Sequence, residues 1–224
     1  VMKMLAEHAR KNYAGIARRY TQRSGGDGRA YVEGFGLQRC HGALRNFLTE
    51  GFMHDYDIVN AHPTLLLAMS KEWGLQLPAL ERYVGDRAAC LDEMQLSKKD
   101  VLIRLNCDAS PQWNPKTDLE RQLVVDFAEA RTYAFGRFSE EYPSTNENNP
   151  KASVLNKVLN ARENAVLAEK LNSIPNLETC VPMFDGFLTD LEIDMEAGPQ
   201  GTVKWIDKAI EVDEATCSCR SARS

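Results

Sequence analysis

The stretch from residue 54 to residue 67 constrains the fold more than any other part of the chain. Its sequence is His-Asp-Tyr-Asp-Ile-Val-Asn-Ala-His-Pro-Thr-Leu-Leu-Leu. Ile58 and Val59 favour extended structure, whereas Pro63 suits the first turn of a helix, where a missing N–H costs nothing. The pattern therefore predicts a strand, a tight turn and a helix that ends at Gly74.

The polar side chains of this stretch are candidates for a cation site. Asp55 and Asp57 are two residues apart, so both face the same way on a strand. A carboxylate pair at a strand end, beside a helix N-terminus, can hold a divalent cation near a phosphate. The alternative is that both carboxylates are simply exposed and that Asn60 caps the helix. Because His62 precedes a proline, we expect it to be extended.

A second candidate residue lies between two apolar runs near the C-terminus. Residues 179–184 and 187–190 are expected to be extended, and Asp185-Gly186 separates them. This dipeptide predicts a two-residue hairpin turn with Asp185 at its tip, although turn geometry alone accounts for an aspartate there. Two carboxylate-bearing strand ends are also the parts needed to clamp two metal ions for phosphoryl transfer.

Elsewhere, apolar residues recur mainly at helical spacing. Helices are predicted over residues 2–22, 39–50, 78–84, 86–95, 119–142, 151–173 and 202–210, and from Ser97, where Asp100 completes a variant capping box. With the hairpin, these elements give an α+β, helix-rich fold: a small antiparallel sheet flanked by several helices.

Cationic side chains supply candidate partners for phosphate. One helix carries Lys98, Lys99 and Arg104, which are able to meet the charge of a triphosphate. Gln38 and Arg45 precede the acidic strand and are candidate nucleic-acid contacts, although Arg45 is equally explained as a solvated side chain. The net charge of −5 argues only weakly against nucleic-acid binding, because a local basic stripe suffices. The stripe would comprise Arg10, Lys11, Arg18, Arg19, Arg23 and Arg29.

Composition argues against several classes of protein. No apolar run approaches membrane-spanning length, and the apolar residues at the N-terminus are too few for a signal peptide. Of the six cysteines, Cys217 and Cys219 form the one close pair, and no second pair has zinc spacing. We therefore expect reduced thiols and a cytoplasmic or nuclear protein with no membrane partner.

Residues 54–190, taken as an ordered set, resemble the palm of nucleic-acid polymerases. Residues 57–66, D-I-V-N-A-H-P-T-L-L, are similar to the first palm motif of family B DNA polymerases, D-F-x-S-L-Y-P-S-I-I. In that match Asp57 falls on the metal-binding aspartate, and His62 falls on the tyrosine beneath the incoming sugar. Asp55 with the following tyrosine is also similar to the D-Y-S-Q-I-E motif of family A, which would make Asp55 the ligand.

The later motifs resemble the same families. Residues 98–106 are similar to the fingers helix that carries the triphosphate-binding lysine. The F-D-G at residues 184–186 is similar to the third motif, H-D-E in family A or Y-x-D-T-D in family B. Only one carboxylate is present there, so Glu163 or Asp190 could supply a further ligand. Compact polymerase-like proteins of viruses and mobile elements also combine D-x-D-x-x-N-x-H-P with a later F-D-G hairpin.

The resemblance implies a template-directed nucleotidyltransferase of the DNA polymerase type, encoded by a virus or mobile element. Asp57 and Asp185 would be its catalytic ligands for Mg²⁺ or Mn²⁺, with Asp55 as a further ligand. Asn60, His62 and the cations of the fingers helix would contact the nucleoside triphosphate. Primer–template nucleic acid and a replication-complex protein would be its partners.

Two other functions fit the same residues. A metal-dependent nuclease could use the same carboxylates without binding a nucleoside triphosphate. A non-catalytic palm-like module could bind nucleic acid or assemble a complex. Loss of the two lysines separates the polymerase from the nuclease, and metal binding separates both from the module. In each case the expected organisation is an N-terminal helical region (1–53), a palm- and fingers-like core (54–213) and a flexible tail (214–224).

Overall fold

The fold is known from a computed structural model that describes residues 19–22, 29–34, 36–108, 113–144, 146–174, 179–193 and 203–210. These residues form an α+β, helix-rich fold with small antiparallel sheets, which confirms the predicted class. The helices are α1 Gly42–Thr49, α2 Ala61–Glu72, α3 Pro78–Gly85, α4 Arg87–Met94, α5 Lys98–Leu105, α6 Asp118–Phe138 and α7 Pro150–Asn172. The strands are β1 Tyr20–Gln22, β2 Ala30–Val32, β3 His54–Ile58, β4 Val181–Pro182, β5 Gly186–Thr189 and β6 Trp205–Lys208.

The sheet that carries the acidic strand has four antiparallel strands in the order β4-β5-β3-β6. Asp57 lies opposite Gly186 on β5 and opposite Ile206 on β6. β1 and β2 pair with each other in a separate two-stranded sheet. The acidic strand is therefore interior to its sheet and held by backbone hydrogen bonds on both edges.

The largest hydrophobic core lies among the helices. Leu123 and Phe127 of α6 pack in one buried cluster with Leu155 and Leu159 of α7, and each of these side chains is at most 1% exposed. Helix α5 joins this cluster through residues such as Val101. Its N-terminus carries the predicted capping box, in which Ser97 and Asp100 bond reciprocally.

A smaller core joins the four-stranded sheet to the C-terminal half of α7. Tyr56 of β3 and Phe187 of β5 cluster with Leu167, Leu171 and Ile174. Because side chains alternate along a strand, the buried Tyr56 directs Asp55 and Asp57 to the opposite face of the sheet. Helix α7 thus lies behind the acidic strand, as one long element shared by both cores.

Two helix predictions are wrong where the structure shows strands. Tyr20–Gln22, the end of the helix expected over 2–22, pairs with β2, while residues 1–18 lie outside the described residues. The segment 205–208, expected as a helix, is β6 and pairs with β3 along its whole length. Long-range pairing outweighs the weak local preference of such short segments.

The remaining helix predictions hold to within a few residues of their ends. Helix α2 ends before Gly74, which has the positive φ of 73° that favours glycine. His62, which was expected to be extended because it precedes Pro63, is helical instead. Helix α2 begins at Ala61, so its first turn includes both His62 and Pro63. No helix in the described part of the chain is long and apolar enough to cross a membrane. The tail 214–224 and its two cysteines lie outside the described residues.

Candidate functional site

Asp57 is the most buried carboxylate of the acidic strand. The residue is 7% exposed, and its Oδ2 forms an ion pair with the Lys208 ammonium of β6. An ideal Cβ built on Gly186 would be 3.0 Å from Asp57 Oδ1 and would overlap the Tyr56 carbonyl oxygen. The absence of a side chain at Gly186 therefore leaves the room in which the Asp57 carboxylate sits.

Asp55 shares the face of β3 with Asp57 but is less buried. Burial raises the pKa of the Asp55 carboxyl above its ordinary value, and the charges of Lys208 and Arg45 oppose that rise. The negative charge of Asp185 raises the same pKa further. Asp55 therefore lies within the electrostatic reach of both a cation and a second candidate carboxylate.

Asp185 lies in the hairpin loop between β4 and β5, and the turn begins one residue earlier in the chain than the sequence predicts, which makes Asp185 its second central residue. Met183 N–H donates to the Gly186 carbonyl at 2.8 Å, so Phe184 and Asp185 form the centre of the turn. Gly186 belongs to β5 instead. The backbone carbonyl of Asp185 accepts a hydrogen bond from Ile58 N–H at 2.9 Å, which holds this loop beside the end of β3.

A cavity of about 140 Å³ lies between the hairpin and the N-termini of α2 and α5. Residues from five separate segments line it, and they include five of the side chains singled out for the nucleotide or the metal: Asn60, His62, Lys98, Glu163 and Asp185. The other lining residues are Arg29, Ala61, Pro63 and Leu102. The cavity is thus lined by both cations and carboxylates.

Glu163 is a buried residue of this cavity that is hydrogen-bonded to Arg29 and lies close to His62. Arg29 Nε donates to Glu163 Oε2 at 2.8 Å, and His62 Nε2 lies 3.3 Å from Glu163 Oε1. The carboxylate is 1% exposed, with one oxygen against Arg29 and the other near His62, and His62 Nε2 also lies 3.4 Å from Arg29 Nη2. The Arg29 guanidinium also lies 5.0 Å from the centroid of the Phe184 ring, a cation–π contact.

Asn60 occupies the N-cap position of α2 but does not cap it. Its backbone is left-handed, with φ 54° and ψ 46°, and its side chain makes no capping hydrogen bond. The residue is 5% exposed, and neither Nδ2 nor Oδ1 has a hydrogen-bond partner among the described residues. A buried carboxamide without partners is costly, and Asn60 is among the residues that line the cavity.

Both lysines at the start of α5 are exposed, but Lys98 lines the cavity and Lys99 does not line it. Arg104 points elsewhere, because its Nη2 donates at 2.7 Å to Glu120, which is 3% exposed. Asp190 follows β5 at the end opposite the hairpin and is exposed.

The two nucleic-acid candidates before β3 have different surroundings. Gln38 is buried, and its carboxamide accepts from Val32 N–H at 2.9 Å and donates to the carbonyls of Ala30 and Pro182. It therefore ties the small sheet to β4. Arg45 of α1 is half-buried within electrostatic reach of Asp55. Of the basic stripe, Arg19 and Arg29 are described, and the other four cations lie outside the described residues.

Two features of the site were not found from the sequence. Arg29 was expected on a nucleic-acid-binding stripe, not beside Glu163, which is 134 residues away in sequence. Lys208 was expected on a helix, where nothing indicated contact with Asp57. Trp205 and Ile206, whose side chains favour strands, are the local signal that could have suggested one.

The carboxylates fit a divalent cation in kind. Carboxylate oxygens are the ligands of Mg²⁺ and Mn²⁺, and Mg²⁺ commonly binds through one or two carboxylates together with substrate phosphates. Asp57 and Asp185, on adjacent strand ends, match that donor set. Among the described residues, no three His, Cys, Asp or Glu side chains converge closely enough to hold a metal ion.

Comparison with known proteins gives one relevant similarity. The chain is 28% identical over 188 residues to a Sputnik virophage protein named "Putative helicase V13". The match covers 72% of this chain and 24% of the virophage protein, so the chain spans about a quarter of the length of that relative. No protein-family model matches the chain, and no solved structure matches it. The chain is therefore similar to part of a larger viral protein.

Proposed function

We propose that this chain is a template-directed nucleotidyltransferase of the DNA polymerase type. The observation that carries the proposal is the convergence of Asn60, His62, Lys98 and Asp185 on one cavity beside the acidic strand. These residues come from three segments far apart in sequence. Similarity to a viral protein named as a helicase supports a nucleic-acid substrate, but no helicase activity is inferred.

In this proposal the cations bind the polyphosphate and the carboxylates bind the metal. The Lys98 ammonium at the rim and the Arg29 guanidinium would attract the negative charge of a triphosphate. Asp57 and Asp185 would hold Mg²⁺ or Mn²⁺, which when bound stabilises the charge that develops during phosphoryl transfer. His62, which lies beside Glu163, would contact the sugar. Primer–template nucleic acid would approach the open face of the sheet.

Lys208 has a defined place in the same proposal. Its ammonium neutralises Asp57, which allows a carboxylate to be buried without a metal ion. A divalent cation bound at Asp57 would take over that neutralisation, and Lys208 would be released from Asp57 Oδ2. The ion pair thus explains how the site can be stable before metal and nucleotide bind.

Primer extension is the direct test. The chain is incubated with a primed DNA template, deoxynucleoside triphosphates, and Mg²⁺ or Mn²⁺. We expect extension by the wild type, and a loss of at least about 100-fold in Asp57→Asn and Asp185→Asn, since each removes a charge that acts on the reacting phosphate. Asp190→Asn is the matched control and should retain activity. If Asp57→Asn extends as fast as wild type, the proposal is wrong.

One observation favours a second candidate, a non-catalytic module that binds nucleotides or nucleic acid. Asp57 already has a cationic partner in Lys208, and a permanent ion pair would make a metal unnecessary. In that case nucleotides would bind with equal affinity with and without Mg²⁺, and no primer would be extended. Cleavage of the template without dependence on Lys98 would instead indicate a nuclease.

A further inference from the structure

We propose that the Asn60 carboxamide binds the 3′-hydroxyl of the incoming nucleotide, and that this contact lets the site reject nucleotides that lack the hydroxyl. The inference rests on the proposed function, which supplies the nucleotide. It assigns a chemical task to a side chain whose hydrogen-bonding groups have no role in the described structure.

The first support is the cost of the carboxamide in the free protein. Asn60 is 5% exposed, and both of its side-chain polar atoms lack hydrogen-bond partners among the described residues. Buried polar groups in folded proteins are nearly always paired. Asn60 is among the residues that line the cavity, so a ligand bound there is the group that would complete the hydrogen bonds of its carboxamide.

The second support is that the Asn60 side chain does not make the helix-capping hydrogen bond that its position allows. An asparagine at an N-cap ordinarily accepts from a backbone N–H in the first helical turn, but Asn60 makes no such bond. Thr64 N–H is bonded to the backbone carbonyl of Asn60 at 3.0 Å, and Thr64 Oγ1 donates to the Val59 carbonyl at 3.0 Å. The helix start is therefore organised without the Asn60 side chain.

The chemistry of the unpaired atoms selects the ligand group. Nδ2 needs an acceptor and Oδ1 needs a donor, so a phosphate, which only accepts, would leave Oδ1 unpaired. A hydroxyl group can both donate and accept. If the substrate is a deoxynucleotide, its sugar has a single free hydroxyl, at the 3′ position. Lys98 and Arg29, which line the same cavity, are suited to the phosphates instead.

The size and lining of the cavity favour a sugar over a base. Its volume of about 140 Å³ is room for about five water molecules, enough for one part of a nucleotide. None of the residues that line it is Phe, Tyr or Trp, so the stacking platform that a base commonly uses is not found among them. The base would then lie outside the cavity, towards the template.

The test compares three probes: dATP, its 2′,3′-dideoxy analogue, and inorganic tripolyphosphate. Binding to the full chain is measured by calorimetry in the presence of Mg²⁺, for wild type and for Asn60→Gly. Glycine keeps the left-handed backbone without strain and removes the side chain together with its carboxamide. Loss of one hydrogen bond with a buried partner corresponds to about a 10-fold change in Kd.

Wild type is expected to bind dATP about 10-fold more tightly than the dideoxy analogue. Asn60→Gly should bind both with the weaker affinity, keep its affinity for tripolyphosphate, and unfold at the wild-type temperature or above when no ligand is present. A purely structural asparagine would give the reverse: a less stable variant and an unchanged preference between the two nucleotides.

The outcomes separate this inference from the proposed function. If wild type binds both nucleotides equally, or if Asn60→Gly fails to fold, the role of Asn60 at the 3′-hydroxyl is wrong, while primer extension still decides the polymerase proposal. If wild type binds neither the nucleotides nor tripolyphosphate, the nucleotide site itself is refuted and this inference falls with it.

Discussion

Gly186 gives the sharpest test of how closely β5 approaches the Asp57 carboxylate. It lies in β5 opposite Asp57 of β3. A Cβ added there would overlap the carbonyl oxygen of Tyr56, and it would be 3.0 Å from both Cα and Oδ1 of Asp57. Two of these three neighbours are backbone atoms of an interior strand. Gly186→Ala therefore forces β5 away from β3.

The size of the effect follows from the rigidity of those neighbours. Adding a methyl group to a well-packed site costs about 1–3 kcal/mol, and the upper part of that range applies where backbone must move. For a chain of 224 residues, a loss of about 2–3 kcal/mol lowers Tm by about 4–12 °C. Because the displaced atoms include the Asp57 carboxylate, the proposed function predicts that metal affinity and primer extension fall in the same variant.

Gly136→Ala is the matched control. Gly136 lies within α6, is exposed, and has no atom within 4 Å of an added Cβ. Alanine is the better helix former by about 0.8–1 kcal/mol, so Tm should rise by about 2–4 °C. Thermal unfolding followed by circular dichroism measures both variants. A Tm for Gly186→Ala at or above that of wild type would refute the close approach of β5 to Asp57.

Three further predictions concern charged side chains of the site and of the helical core. The proposed function predicts that Lys98→Ala weakens tripolyphosphate binding by about 10-fold or more, whereas Lys99→Ala, measured by the same calorimetric titration, leaves it nearly unchanged. Burial raises the pKa of the Asp55 carboxyl above 3.8, so the unfolded chain loses this proton at a lower pH than the folded chain does. The folded state therefore loses stability as the pH rises above that value. Asp55→Asn should therefore have a higher Tm than wild type at pH 7, with the gain gone near about pH 3; an equal gain at both pH values would contradict this. Arg131 is 2% exposed and donates to two carbonyls at the end of α5. Arg131→Met should therefore lower the free energy of unfolding, measured in urea, by about 3 kcal/mol. A loss below about 1 kcal/mol would show that water replaces the guanidinium.

The sequence by itself determined the elements whose signals are local. The capping box at Ser97 begins α5, Gly74 ends α2, and apolar spacing marks the two long helices, because caps and periodicity act within a few residues. The strand–turn–helix around Asp57 and the hairpin near Asp185 belong to the same group. These elements sufficed to predict an α+β, helix-rich fold and to single out most of the polar residues that line the cavity.

The tertiary structure decided which of those residues meet and what holds them. Arg104 and Gln38 carry the right chemistry for a ligand, but Glu120 and three backbone groups already bind their polar atoms. Arg29 reaches Glu163 across 134 residues of sequence, and no local pattern encodes such a distance.

The pairing of β6 with β3 is the clearest case of a feature that the sequence alone did not determine. It brings Lys208 to Asp57, although the segment 205–208 is short enough to fit a helix or a strand. Strand partners are selected by hydrogen bonds and packing between distant segments. Helix ends and turns depend on near neighbours, and that difference in range separates what could be predicted from what had to be seen.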